Sequence, residues 1–171
     1  MKELVADLSK GLGSLPPFPV VLVTVERNIM TSCAFHFYSF KPPSVMVGIM
    51  PERYTYELVR RENEFGINIP TAEQVALVRA CGSVSGRDVD DKYGKAGVTP
   101  FEGTKIKSYL IRECPVNIEC IVTHEVDFGG THQWFVGEIQ AVHVDSAYTR
   151  DQLLMFWSGE YRKVGELLEK P

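Results

Sequence analysis

The 171-residue chain has little cysteine, no long hydrophobic run and no excess of either charge. Its four cysteines, Cys33, Cys81, Cys114 and Cys120, lie too far apart for a Cys-x-x-Cys redox or zinc pair. They are also too few for a small secreted scaffold, so buried thiols in a reducing cytoplasm are expected. Apolar runs are broken by Pro, Gly or charge before the ~18 residues that a membrane helix needs. Acid among the apolar residues of Met1 to Asp7 gives no signal-peptide pattern. A soluble protein is expected. With 18 Lys and Arg against 22 Asp and Glu, the net charge is −4, which lacks the basic footprint of nucleic-acid binding.

Familiar nucleotide and catalytic motifs are missing too. Gly11-Leu12-Gly13 has no third glycine for a dinucleotide fingerprint, and Gly94-Lys95 is followed by Ala96 where a P-loop needs Ser or Thr. Cys81-Gly82-Ser83-Val84-Ser85-Gly86 spaces its glycines too widely for a serine-hydrolase elbow. Cys120, His124 and His132 form the nearest approach to a metal set, but nothing specifies a third ligand's geometry, and no metal site is expected. Glu119 and Glu125 read as solvated surface carboxylates.

What is present is β-rich, with 44% hydrophobic and 23% charged residues, and a chain of this length should bury roughly 70% of its unfolded surface. Strands are expected over 18–25, 34–38, 44–49 and 65–69, with a helix between Thr55 and Glu64. Thr71-Ala72-Glu73-Gln74 reads as a capping box opening a second helix. The stretch from Cys81 to Gly103 reads as a long loop with one helical turn around Asp90 to Lys95. Two long strands, Val116 to Val126 and Gln133 to Val144, are joined by a hairpin loop containing Gly129-Gly130. A short helix from Thr149 to Phe156 and a loose tail to Pro171 complete the expectation. This pattern favours one mainly β domain over 1–171, an antiparallel barrel or sheet with peripheral helices.

Three polar clusters stand out. Ser83, Ser85, Gly86 and Arg87, with Lys92 close behind, bring hydroxyls, loop amides and cations together, group types that hold phosphate without a P-loop. A plain polar surface loop has the same composition. Asn28 to Ala34 places small hydroxyl residues before a strand, suited either to a flat heteroaromatic ring or to a simple turn. Arg53-Tyr54-Thr55 offers cation and hydroxyl at a strand end, or an ordinary helix cap.

Taken in order, these clusters carry a resemblance. Pro19 to Thr24, Asn28, Thr31-Ser32, Ser39, Pro42-Pro43, Phe65 to Ile69, Asp90 to Tyr93, Ile118 to Cys120 and His132 to Ile139 resemble the flavin reductase-like proteins, FMN-binding split barrels that include flavoredoxins. The resemblance covers about 17–165. It implies a Greek-key split β-barrel, a homodimer with FMN near the subunit interface, and redox chemistry on the flavin. By this resemblance, Asn28, Thr31, Ser32, Cys33 and Ala34 line the isoalloxazine with Phe37 to Phe40, including Ser39 and Phe40. Arg53, Tyr54, Thr55 and the segment Ser83, Ser85, Gly86, Arg87 to Lys92 approach the ribityl phosphate, and His132 lies near the flavin or the incoming nicotinamide.

The implied function is hydride transfer from NADH or NADPH to FMN, with FAD or free flavin as other substrates. Such chemistry asks the protein to stack rings and donate hydrogen bonds, so an absent triad is expected. A flavoredoxin-like carrier serving a redox protein partner, or a non-catalytic binding module, would carry the same sequence features.

Overall fold

The computed structural model describes residues 2–169. Met1, Lys170 and Pro171, which belong to the expected single unit and its tail, lie outside the described residues. The chain runs α1 (Leu8–Leu12), β1 (Phe18–Pro19), β2 (Val21–Val25), β3 (Asn28–Ser32), β4 (Phe35–Phe40), β5 (Pro43–Ile49), α2 (Tyr54–Glu62) and β6 (Glu64–Ile69). It continues with α3 (Val75–Gly82), α4 (Lys92–Ala96), β7 (Pro100–Glu102), β8 (Tyr109–Ile111), β9 (Val116–Asp127), β10 (Gln133–Val144), β11 (Leu154–Trp157) and β12 (Glu160–Lys163).

Seven strands form one antiparallel sheet in the order β3-β2-β6-β9-β10-β5-β4. Its two edges, β3 and β4, are consecutive in the chain and joined only by Cys33-Ala34. Two residues cannot span a flat seven-stranded sheet whose strands are about 4.8 Å apart. The sheet must therefore curl until its edges approach at that link without pairing, which makes a split Greek-key barrel; α2 packs Leu58 and Val59 into its interior, while α3 and α4 lie outside. Gly48 N–H on β5 donates to Ala34 O at 2.7 Å, which carries the β4–β5 ladder into the link.

Alternation along β2 divides the core. Val21, Val23 and Val25 pack with Val45, Val47, Phe65, Ile67 and Phe135 in one cluster. Leu22 packs with Ile29, Val78, Cys81, Tyr93 and Leu154 in the second. One strand buries both faces, so α3 and α4 are fixed against the outside of the barrel.

Several expectations change. The run over 18–25 is two strands, because Pro19 cannot donate to a ladder and the chain switches sheets at Val20. Asn28–Ser32 is a full strand, paired residue by residue with β2 across the Glu26-Arg27 turn, rather than a polar turn. The capping box over Thr71 and Gln74 is present and leads through a 3-10 turn into α3. A second box at Thr149 and Gln152 caps only one 3-10 turn. The predicted helix over 149–156 then gives way to β11, whose apolar run pairs with β1, and the expected tail contains β12.

Glu119 is also corrected: it is fully buried. Its carboxylate accepts from Thr104 N–H, Lys105 N–H and Ile106 N–H at 2.6 to 3.0 Å and from the Thr104 hydroxyl, and pairs with His143 Nε2 at 2.6 Å. Glu64, on the neighbouring strand, accepts from Lys107 N–H, Ser108 N–H and Ser108 Oγ. Consecutive amides from Thr104 to Ser108 thus close onto two carboxylates. Glu125 does stay exposed, bonded to Tyr56 and Arg60.

Candidate functional site

A cleft of 980 Å³ opens at the seam between β3, the end of β5, the start of α2, the end of α3 and the loop that follows it. The two-residue β3–β4 link places Asn28, Thr31, Ser32, Cys33 and Ala34 along one wall. Arg53, Tyr54 and Thr55 stand at the first turn of α2, while Ser83, Ser85, Gly86 and Arg87 come from the loop after α3. Lys92 and His132 complete this set. Three clusters that are distant in the chain therefore share one cavity.

Lys92 is the unusual group. It is only 6% exposed and has no carboxylate within salt-bridge distance among the described residues. Burial pushes its pKa below the ordinary lysine value, with Cys81 alongside. It opens α4, anchored by the buried Tyr93, whose hydroxyl donates to Tyr109 O at 2.9 Å. A cation held this way costs free energy unless an anion meets it. Arg53 also faces the cleft without a carboxylate partner among the described residues, and its side chain caps no helix N–H.

The neighbouring groups are less free. Asn28 Nδ2 donates to Thr55 Oγ1 at 2.8 Å, and Asn28 Oδ1 is buried with no partner. Gly86 sits against that oxygen, where a Cβ would lie 2.3 Å away. The Thr31 hydroxyl donates to Val78 O at 2.8 Å, tying the seam to α3, so its proton is already engaged. Ser32 Oγ accepts from Ala34 N–H at 3.1 Å and keeps its own proton. Ser83 Oγ donates to Ala80 O. Arg87 reaches Glu57 and Glu52 O and lies over the Tyr54 ring, so its charge is offset.

Cys33 lies half-buried on the wall, and burial raises its thiol pKa above the ordinary value. It is a neutral thiol at physiological pH, suited to packing rather than nucleophilic attack. His132 stands at the rim with Nδ1 3.0 Å from the Thr131 hydroxyl. Ser39 and Phe40 do not reach the cleft: they lie on the edge strand β4, with Phe40 83% exposed and stacked on Phe37. Cys120 is in the core while His124 is at the surface, and no trio of His, Cys, Asp or Glu among the described residues is placed to hold a metal ion.

The description "Flavin reductase like domain" matches residues 13–165. The chain belongs to the flavin reductase-like family. An uncharacterized protein of Archaeoglobus fulgidus is 34% identical over 148 residues, 86% of this chain and 82% of its own. The flavoredoxin of Desulfovibrio vulgaris (Miyazaki F) matches in structure with a TM-score of 0.86 and 30% identity, over 99% of this chain and 97% of that one. An FMN-binding protein from Thermus thermophilus, solved with bound p-hydroxybenzaldehyde, matches over the full length of both chains with a TM-score of 0.85 and 25% identity.

Within this flavin reductase-like fold, the cleft has a wall that the sequence patterns did not announce. Phe156 and Tyr161 face each other across the β11–β12 hairpin with rings 4.9 Å apart, and Arg79 lies over Tyr161. Reading Thr149 to Phe156 as a helix and the rest as a loose tail hid them. The available signal was a run of bulky apolar residues followed by Ser158-Gly159, a strand and turn pattern.

Proposed function

We propose that the cleft binds FMN and that the protein is an oxidoreductase of flavin reductase type, with NADH or NADPH as electron donor. The observation that carries this is Lys92, a buried cation lining the cleft with no carboxylate within salt-bridge distance among the described residues. A phosphate dianion supplies the missing charge. Lys92 and Arg53 would hold that phosphate, helped by amides of the loop from Ser83 to Gly86.

When bound, FMN supplies the redox chemistry, accepting a hydride equivalent from a reduced nicotinamide. The chain's own part is to seat and shield the ring. Ala34, Cys33 and the Ser32 hydroxyl offer small, neutral groups along the seam, and His132 at the rim meets the incoming second ligand. A homodimer with shared clefts would bring Ser39 and Phe40 to a flavin of the second subunit, and the exposed aromatic edge of β4 is what supports it. Four free cysteines suit a reducing cytoplasm.

A flavoredoxin-like electron carrier taking electrons from a redox protein is the second reading, favoured by the match to the Desulfovibrio flavoredoxin. Mixing the FMN-loaded protein anaerobically with NADH or NADPH separates the two. Rapid bleaching of the flavin supports the reductase, and a flavin that stays oxidised with both nucleotides points to the carrier.

A further inference from the structure

The loop after α3 is not merely draped over the cleft. Ser85 to Asp88 closes on itself, with Asp88 N–H donating to Ser85 O and Arg87 N–H to Ser85 Oγ. Gly86 then seats on Asn28 and Tyr54 so closely that any side chain there would collide. Arg87 fastens the loop from the other side: Nη1 donates to Glu52 O at 3.1 Å, Nη2 bonds Glu57, and the guanidinium lies 5.3 Å from the Tyr54 ring centroid. Apart from Asn28 on β3, every one of these anchors belongs to the first turn of α2 or the residues just before it. That is where Arg53 and Thr55 stand. The strap is thus tied down at the phosphate end of the cleft by a charge-assisted bond, a backbone bond and a stacked cation.

We propose that this Arg87–Glu57 buckle makes the cleft selective for a flavin mononucleotide over a flavin dinucleotide. The inference rests on the reading of the cleft as an FMN site. A phosphate monoester ends at Lys92 and Arg53 and leaves the buckle intact. A pyrophosphate with its adenosine must continue past them and lift Arg87 off Glu57, Glu52 O and Tyr54 together. Arg87 is then a specificity residue rather than a phosphate ligand, although it lines the cleft.

Flavin-fluorescence titrations of the wild type, Arg87→Ala and Glu57→Ala with FMN, FAD and riboflavin test this. Both side chains are substantially exposed, so both variants keep the core intact. The wild type is expected to favour FMN over FAD by about 100-fold, and both variants to lower that ratio about tenfold, mainly through tighter FAD binding. An unchanged ratio in both variants overturns the proposal. So does a wild type that binds the two flavins equally. A third contrary result is FMN weakened by Arg87→Ala but strengthened by Glu57→Ala, which would make Arg87 a phosphate ligand. A wild type that takes up none of the three flavins instead overturns the FMN site itself.

Discussion

A lysine buried to 6% exposure and facing no carboxylate among the described residues would be selected against if it had only a structural job, because an aliphatic residue packs there at lower cost. Beside it Cys81, whose thiol is pushed up to about 11 by burial, stays neutral and does not offset the ammonium. Replacing Lys92 with Ala should weaken FMN binding about 10- to 100-fold, the range for a hydrogen bond to a charged group, and leave riboflavin binding nearly unchanged. Isothermal titration with both flavins checks this; equal losses would assign Lys92 to the fold.

Glu119 has a different role at the same scale. Burial alone would raise its pKa, but His143 and the Thr104 and Lys105 groups overcome that and hold it at about 2, against an ordinary 4.5. A depressed pKa stabilises the folded state fully above about 4.5, and that contribution is lost as pH falls toward 2. Chemical denaturation between pH 5 and 2.5 should therefore show a steep loss of stability that Glu119→Gln flattens. An unchanged slope would mean that other carboxylates govern the acid limb.

At the scale of elements, β9 and β10 are the longest pair, and their ladder is interrupted beside Gly137. A Cβ on Gly137 would lie 2.4 Å from Phe65 Cζ and 2.8 Å from Cys120 Cβ. Gly137→Ala should cost about 1 to 3 kcal/mol by overpacking, read from the midpoint of a urea titration. That hairpin, together with α2, β6 and the capped start of α3, was legible because each has a clear period and a stop signal. β3 was not, since Asn28, Thr31 and Ser32 look like turn residues, and only pairing with the fully buried β2 makes them a strand. β11 was misread because a short apolar run suits helix and strand equally until its partner β1 is known. The polar clusters were legible separately as phosphate-compatible or ring-compatible groups. Their meeting depends on the Cys33-Ala34 link closing the sheet, a long-range fact with no local signature.

At the scale of the molecule, one edge of the split barrel remains open. β4 exposes Phe37, Tyr38 and Phe40, with the Phe37 and Phe40 rings 4.4 Å apart. Unpaired edge strands invite association, and aromatic residues are enriched at such contacts. If a second copy covers this edge, Phe40→Asp should convert a dimer to a monomer in analytical ultracentrifugation and weaken FMN retention with it; a variant that stays dimeric places the contact elsewhere. On the proposed reading the same geometry lets a mildly acidic chain hold a phosphate: Lys92 and Arg53, neither paired with a carboxylate among the described residues, act within the cleft, where the net charge of −4 has little reach.

The most direct measurement is the visible absorption spectrum of the purified protein after addition of FMN and exhaustive dialysis, compared with that of Lys92→Glu. Retained flavin absorption in the wild type and its loss in the variant are predicted. A colourless wild type, or a variant that keeps its flavin equally well, would contradict the assignment of this cleft.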